Sequence, residues 1–211
     1  MVPIRENLVP KDKYAIKCPY TRTPTRVVIH NTANDAPAAN EISYMRYNDL
    51  EISFHYAVDD VNIVQGIPEN RNAWASGDGH GKGNMEGIHI EICYSKSGGE
   101  KFDKAEQNAA EFTASLLKKY GWGIDKVTKH RDYDSKYCPH RTLDRGWQRF
   151  LSMVKRYMEP AKAPVASKFT PYLIRKNCRD ALNIRKGPST NYGILGQIKD
   201  TLRYTIVEER S

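Results

Sequence analysis

An α/β domain followed by a small all-β module is the fold class predicted for this 211-residue chain, and three observations predict it. Apolar runs of strand character take turns with amphipathic helical stretches through residue 157. The segment "MEPAKAPVASK" (158–168) is rich in Pro, Ala and Lys, follows neither period, and reads as a linker. Beyond it, short β-branched runs flank the turn-rich stretch "KGPSTNYG". The expected organisation is a first domain at 1–157, a linker at 158–168 and a second module at 169–211. The 43 residues of that module leave little core for independent stability.

Taken in order, "RVVIH" (26–30) is a β-branched run and predicts a buried strand ending at His30. "NEISYMRYND" (40–49) predicts a short helix, and "ISFHYAVDD" (52–60) alternates as a second strand. "GIHIEICYS" (87–95) predicts a third, with Ile88, Ile90 and Ile92 on one face and His89, Glu91 and Cys93 on the other. "KAEQNAAEFTASLLKKYG" (104–121) is a long amphipathic helix closed by Gly121. "GWQRFLSMVKRYM" (146–158) makes a last helix before the linker.

Hydrophobic residues make up 39% of the chain and aromatics 10%, enough for a packed core, which excludes a disordered chain. No run of about 18 apolar residues is present, so no membrane span is expected. The N-terminal stretch "MVPIRENLVPKDKYAIKCPY" is polar and broken by prolines. No signal peptide is expected from it, and synthesis in a cytoplasm is expected. The four cysteines, Cys18, Cys93, Cys138 and Cys178, show no short spacing and predict no disulfide framework. The net charge of +8 is uneven: residues 1–160 hold 23 Lys+Arg against 21 Asp+Glu, and residues 161–211 hold 10 against 4. A basic C-terminal part suits a polyanionic partner. No nucleic-acid motif accompanies it, so anionic wall polymers suit the charge equally well.

"KHRDYDSKYCPHR" (129–141) concentrates metal-ligating residue types. Hydrolytic zinc sites use three protein ligands and keep one position for water. His30 closes a strand, and His130 and Cys138 stand eight positions apart, so the three can converge on one ion. On spacing alone His140 can replace either histidine. Glu91 is a carboxylate on a mostly apolar strand, costly unless paired or functional. Lys136 lies two residues before Cys138, within reach of a carbonyl at the same ion. Trp74 suits a sugar-binding groove as well as a core, and Asn31 adjoins the first ligand.

In this order, "VVIHNTAND", "SFHYAVDD", "RNAWASGDG", "HIEICYS" and "KHRDYDSKYCPHR" resemble the zinc-dependent N-acetylmuramoyl-L-alanine amidases, which share their fold with peptidoglycan recognition proteins. The likeness is strongest to phage endolysins of Gram-positive hosts. It implies a central mixed β-sheet flanked by helices and cleavage of the muramic acid–L-alanine bond in peptidoglycan. It further implies one Zn²⁺ held by His30, His130 and Cys138, with Glu91 as general base and Lys136 on the oxyanion. Asn31, Phe54 and Trp74 are the substrate-binding candidates. Action at the cell wall after holin-type release is also implied.

Two departures stand out. Phe54 occupies a position where some members carry tyrosine, which removes a hydroxyl from the carbonyl's surroundings. "LNIRKGPSTNYGILGQIKDT" resembles a bacterial SH3 domain but looks cut short at Ser211. The alternatives are a non-catalytic peptidoglycan-binding recognition protein, which typically lacks the cysteine ligand, and a thiol enzyme using Cys93 with His89 or His55.

Overall fold

The computed structural model describes residues 1–159, 172–175, 181–186, 189–199 and 203–206. The chain divides into two units, Met1–Ala161 and Lys162–Ser211. In the first unit the strands are Ile4–Glu6 (β1), Arg26–Asn31 (β2), Tyr56–Val58 (β3), Ile63–Gln65 (β4), Gly87–Ile92 (β5) and Val127–Lys129 (β6). They form one mixed sheet in the order β1-β4-β3-β5-β2-β6. β3, β5, β2 and β6 run parallel, and β4 is antiparallel to β3. The helices are Tyr14–Lys17 (α1), Ala38–Tyr47 (α2), Lys82–Glu86 (α3), Gly99–Tyr120 (α4), His140–Asp144 (α5) and Trp147–Met158 (α6).

β2 and β5 are covered on both faces, as parallel strands require. Val27, Val28, Ile29, Ile88, Ile90 and Ile92 are all fully buried. Registered neighbours share a face, so Tyr56 lies beside Ile90, and His30 beside Glu91. The ring of Phe112 from α4 meets Tyr56 edge-on, with centroids 4.7 Å apart. α4 therefore covers the isoleucine face. α2 lies on the Glu91 side, where Glu41, Tyr44 and Met45 share a cavity wall with Glu91.

α4 begins at Gly99, five residues earlier than the amphipathic pattern indicates, and buries Phe102 in the added turn. Gly121 ends it in the left-handed region (φ 67°), its N–H reaching the carbonyls of Leu117 and Lys118. α2 starts at Ala38, before the expected residue 40, because the Asp59 carboxylate accepts the Ala38 N–H at 2.9 Å.

The strand expected at 52–60 shrinks to three residues, and side chains explain both ends. Lys17, fully buried, donates to the carbonyls of Leu50 (2.5 Å) and Ile52 (3.1 Å) and to Asn48 Oδ1 (2.7 Å), which holds the approach to β3 off the sheet. Past Val58, the Asp59 carboxylate accepts the N–H groups of Val61 and Asn62 and turns the chain back into β4.

The described residues of the second unit form two antiparallel pairs. Tyr172–Arg175 (β7) pairs with Arg203–Ile206 (β10), and Leu182–Arg185 (β8) with Ile194–Ile198 (β9). The expected linker lies outside the described residues except for Met158, which closes α6, and Glu159; Cys178 lies outside them too. Cys18, Cys93 and Cys138 are free and buried. Among the described residues no helix is long and apolar enough to cross a membrane.

Candidate active site

β5, β2 and β6 lie side by side and parallel, and their carboxyl ends carry Glu91, His30 and His130. That edge is where open α/β sheets place ligand sites. His30 pairs with Glu91 in register, and His130 directly follows Lys129 at the end of β6. A 3-10 turn, His130–Asp132, is fixed by the Asp132 carboxylate, which accepts the Lys129 backbone N–H at 3.0 Å. The chain then loops back, and the Cys138 carbonyl accepts the Arg131 N–H at 3.0 Å. This brings Cys138 beside His130.

His30 Nδ1 lies 3.1 Å from His130 Nδ1. One ligand atom from each of His30, His130 and Cys138 lies within 4.8 Å of the others, and all three side chains are buried. Burial holds both imidazoles below their ordinary range, and Lys136 adds to it, so both are neutral with lone pairs to offer. Burial, and next the charge of Glu91, pushes the Cys138 thiol up to about 12; the Asn31 backbone amide and Lys136 pull the other way. Such a thiol keeps its proton until a cation displaces it. Tetrahedral Zn²⁺, with bonds of ~2.0–2.3 Å, sets its donors roughly 3.3–3.7 Å apart. The two Nδ1 atoms lie near that spacing and all three donors within 4.8 Å, and two imidazoles with a thiol are a donor set that suits that ion. His140 turns away, its Nε2 3.1 Å from the Ser95 carbonyl oxygen.

These groups open into a cavity of about 520 Å³ that Glu91, Lys136, Phe54 and Trp74 also line. Glu91 Oε2 is buried and has no hydrogen-bond partner among the described residues. Burial, and next the charge of Glu41, pushes the Glu91 carboxyl up to about 8, while Lys136 draws it down. The Lys136 side chain is exposed, and no hydrogen bond or ion pair among the described residues occupies its ammonium. Trp74 is half-buried, its indole N–H donating to the Ile16 carbonyl at 3.0 Å, and it meets His80 edge-on across the cavity wall.

Asn31 touches the same cavity, but its amide is engaged elsewhere. Its Oδ1 accepts the N–H groups of Arg141 (3.0 Å) and Thr142 (3.2 Å). Its Nδ2 donates to the Thr142 hydroxyl and the His30 carbonyl. Asn31 thus caps the first turn of α5 from a distance. Phe54 is buried between the first cavity and a second of about 470 Å³ beneath α2.

The second cavity and its Glu41 carboxyl were not legible in the sequence, where Glu41 is one acidic residue in a helical turn and carries no pattern. His89 did leave a signal, since alternation in "HIEIC" sets it on the Glu91 face. Among the described residues no cation acts on Cys93. Burial first, then the charges of Glu41, Asp59 and Glu91, raises its thiol well above the ordinary value.

The N-acetylmuramoyl-L-alanine amidase family profile matches residues 20–141. The N-acetylmuramoyl-L-alanine amidase XlyB of Bacillus subtilis (strain 168) is 50% identical over 181 residues, covering 83% of this chain and 57% of that protein. The amidase CwlA of the same organism is 49% identical over 190 residues, covering 86% and 70%. The solved structure of PlyL, 53% identical, superposes with a TM-score of 0.70 over 72% of this chain and 96% of that one. The chain thus spans little more than half the length of XlyB.

Proposed function

The chain belongs to the N-acetylmuramoyl-L-alanine amidase family, and we propose that it hydrolyses the amide between N-acetylmuramic acid and the L-alanine of the stem peptide in bacterial peptidoglycan. The observation that carries this reading is the convergence of His30, His130 and Cys138 beside an unpartnered Glu91 carboxylate oxygen in one open cavity. His30 and His130, each through Nδ1, and the Cys138 sulfur would hold one Zn²⁺. When bound, that ion polarises the scissile carbonyl and lowers the pKa of water to roughly 7.

The chain's own groups do the rest. Glu91 takes one proton from the attacking water as the carbon–oxygen bond forms. It returns that proton to the alanine nitrogen as the carbon–nitrogen bond breaks, so no net proton stays on the enzyme. A carboxyl with one oxygen buried and unpartnered among the described residues gains from holding a proton between the two steps. Lys136, with its ammonium uncommitted at the cavity wall, faces the charge that develops on the carbonyl oxygen. Phe54 brings no hydroxyl to that oxygen, which leaves its stabilisation to Lys136 and the ion. Trp74 offers an aromatic face to the sugar, and Asn31 serves the site through α5 and the loop carrying Cys138.

A partial SH3-like module at 169–211, joined through the linker at 158–168, would anchor the enzyme on the wall. Its excess of basic residues suits anionic wall polymers. A recognition protein that binds peptidoglycan without cutting it has no use for a thiolate ligand beside a buried carboxylate, which favours the hydrolytic reading. The test is a pair of variants assayed for lysis and zinc content. Glu91→Ala should keep zinc and lose turnover, and Cys138→Ala should lose both. Full lysis by Glu91→Ala would sink the assignment.

A further inference from the structure

His89 is fully buried on the same strand face as Glu91, and the proposed chemistry does not use it. Its ring packs against His30 with centroids 5.2 Å apart, and its Nδ1 lies 3.0 Å from His30 Nε2. Resting on the metal reading above, we propose that His89 is a positioning residue for His30. Its Nδ1 accepts the His30 Nε2–H and so leaves His30 Nδ1 bare toward His130 and Cys138.

The protons on these neutral rings can be counted. His30 carries one proton and two contacts, Nε2 to His89 and Nδ1 to His130. A proton on Nδ1 would block the donor atom the metal needs. A proton on Nε2 requires an acceptor there, so His89 Nδ1 must be bare and the His89 proton must sit on Nε2. The surroundings select that arrangement. His89 Nε2 is buried, closes no hydrogen bond of ordinary geometry, and faces the Gly83 carbonyl of α3. A lone pair opposite a carbonyl oxygen repels it, whereas an N–H is attracted.

The ring is held in place from both sides. The His89 backbone N–H donates to His55 Nδ1 at 3.0 Å, and the two rings stack at 5.6 Å with a 17° interplanar angle. His55 Nε2, 2.9 Å from the Arg71 carbonyl, donates there and so leaves its Nδ1 free to accept. Gly87 gives α3 the room to approach, since a Cβ there would sit 2.5 Å from the Gly83 carbonyl oxygen.

Metal-ligating histidines usually lean on a carboxylate or a carbonyl. A neutral imidazole in that place orients His30 equally well and adds no negative charge. With one thiolate ligand, the ion's net charge stays near +1, available to polarise a carbonyl.

The experiment measures the zinc dissociation constant of the full chain by competition with a chelating dye, together with the thermal stability of the metal-free protein. In wild type, long-range ¹⁵N NMR of the metal-free protein reads the His30 tautomer. His89→Leu, which fills the space without an acceptor, should weaken zinc binding about 10–100-fold. His89→Asn, whose Oδ1 can accept near the place of Nδ1, should recover most of that loss, and His30 should carry its proton on Nε2. Equal zinc affinity in wild type and His89→Leu would overturn the proposal. So would a His30 proton on Nδ1, a reading that holds even where His89→Leu does not fold. Wild type that takes up no zinc would instead overturn the metal reading itself, and the proposal with it.

Discussion

Glu91 concentrates the energetics of the site in one side chain. Its carboxyl holds a proton up to about pH 8 in the folded, metal-free protein, against an ordinary value of 4.5. Between those values folding takes up a proton, so this group's contribution to stability falls as pH rises. Glu91→Gln removes the titration. Its metal-free stability relative to wild type should improve from pH 5 to pH 9 by a few kcal/mol, at most roughly 4, since each pH unit up to about 8 is worth about 1.4 kcal/mol. Thermal melts across that range check this, and a constant gap between the two proteins would contradict it. At this scale much was legible, because residue type carries chemistry: His30, His130, Cys138, Glu91 and Lys136 all face one cavity. The choice between His140 and the other histidines was not legible. It depends on where the Ser95 carbonyl lies after folding, which spacing does not encode.

Elements place these residues, and two substitutions probe how. Gly121 sits at φ 67° with nothing within 4 Å of where a Cβ would project. Gly121→Ala should therefore cost about 1 kcal/mol through backbone conformation alone, read as a lowered denaturation midpoint with an unchanged slope. Asn31→Ala removes the acceptor of two α5 backbone N–H groups. It should cost about 1–2 kcal/mol, with KM for a soluble muropeptide changed by less than about twofold; a large rise in KM at unchanged stability would return Asn31 to the substrate. The long elements were readable because burial imprints a period: β2 and β5 as apolar runs, α4 and α6 as amphipathic helices. β1, β4 and β6 have three residues each, too few for a period, and exist by pairing with neighbours. β3 was overestimated because Lys17, more than thirty residues away in sequence, takes the carbonyls before it.

At the scale of the whole molecule, charge and catalysis separate. Residues 161–211 carry 10 basic against 4 acidic residues, while the part before them is nearly balanced. If the second unit anchors the enzyme on an anionic wall, deletion of 162–211 should weaken binding to purified walls at low salt. The difference should shrink as ionic strength rises past about 0.15 M, where charges are screened beyond ~8 Å. Sedimentation of the full and shortened chains with walls, across a salt series, reads this directly. The identity of the bond cut is the claim on which the rest depends. It is tested by end-group analysis of Gram-positive peptidoglycan digested with and without a chelator. New N-terminal alanine should appear, disappear with chelator and return on adding zinc. New reducing sugars, amino termini other than alanine, or alanine release that survives chelation would contradict it.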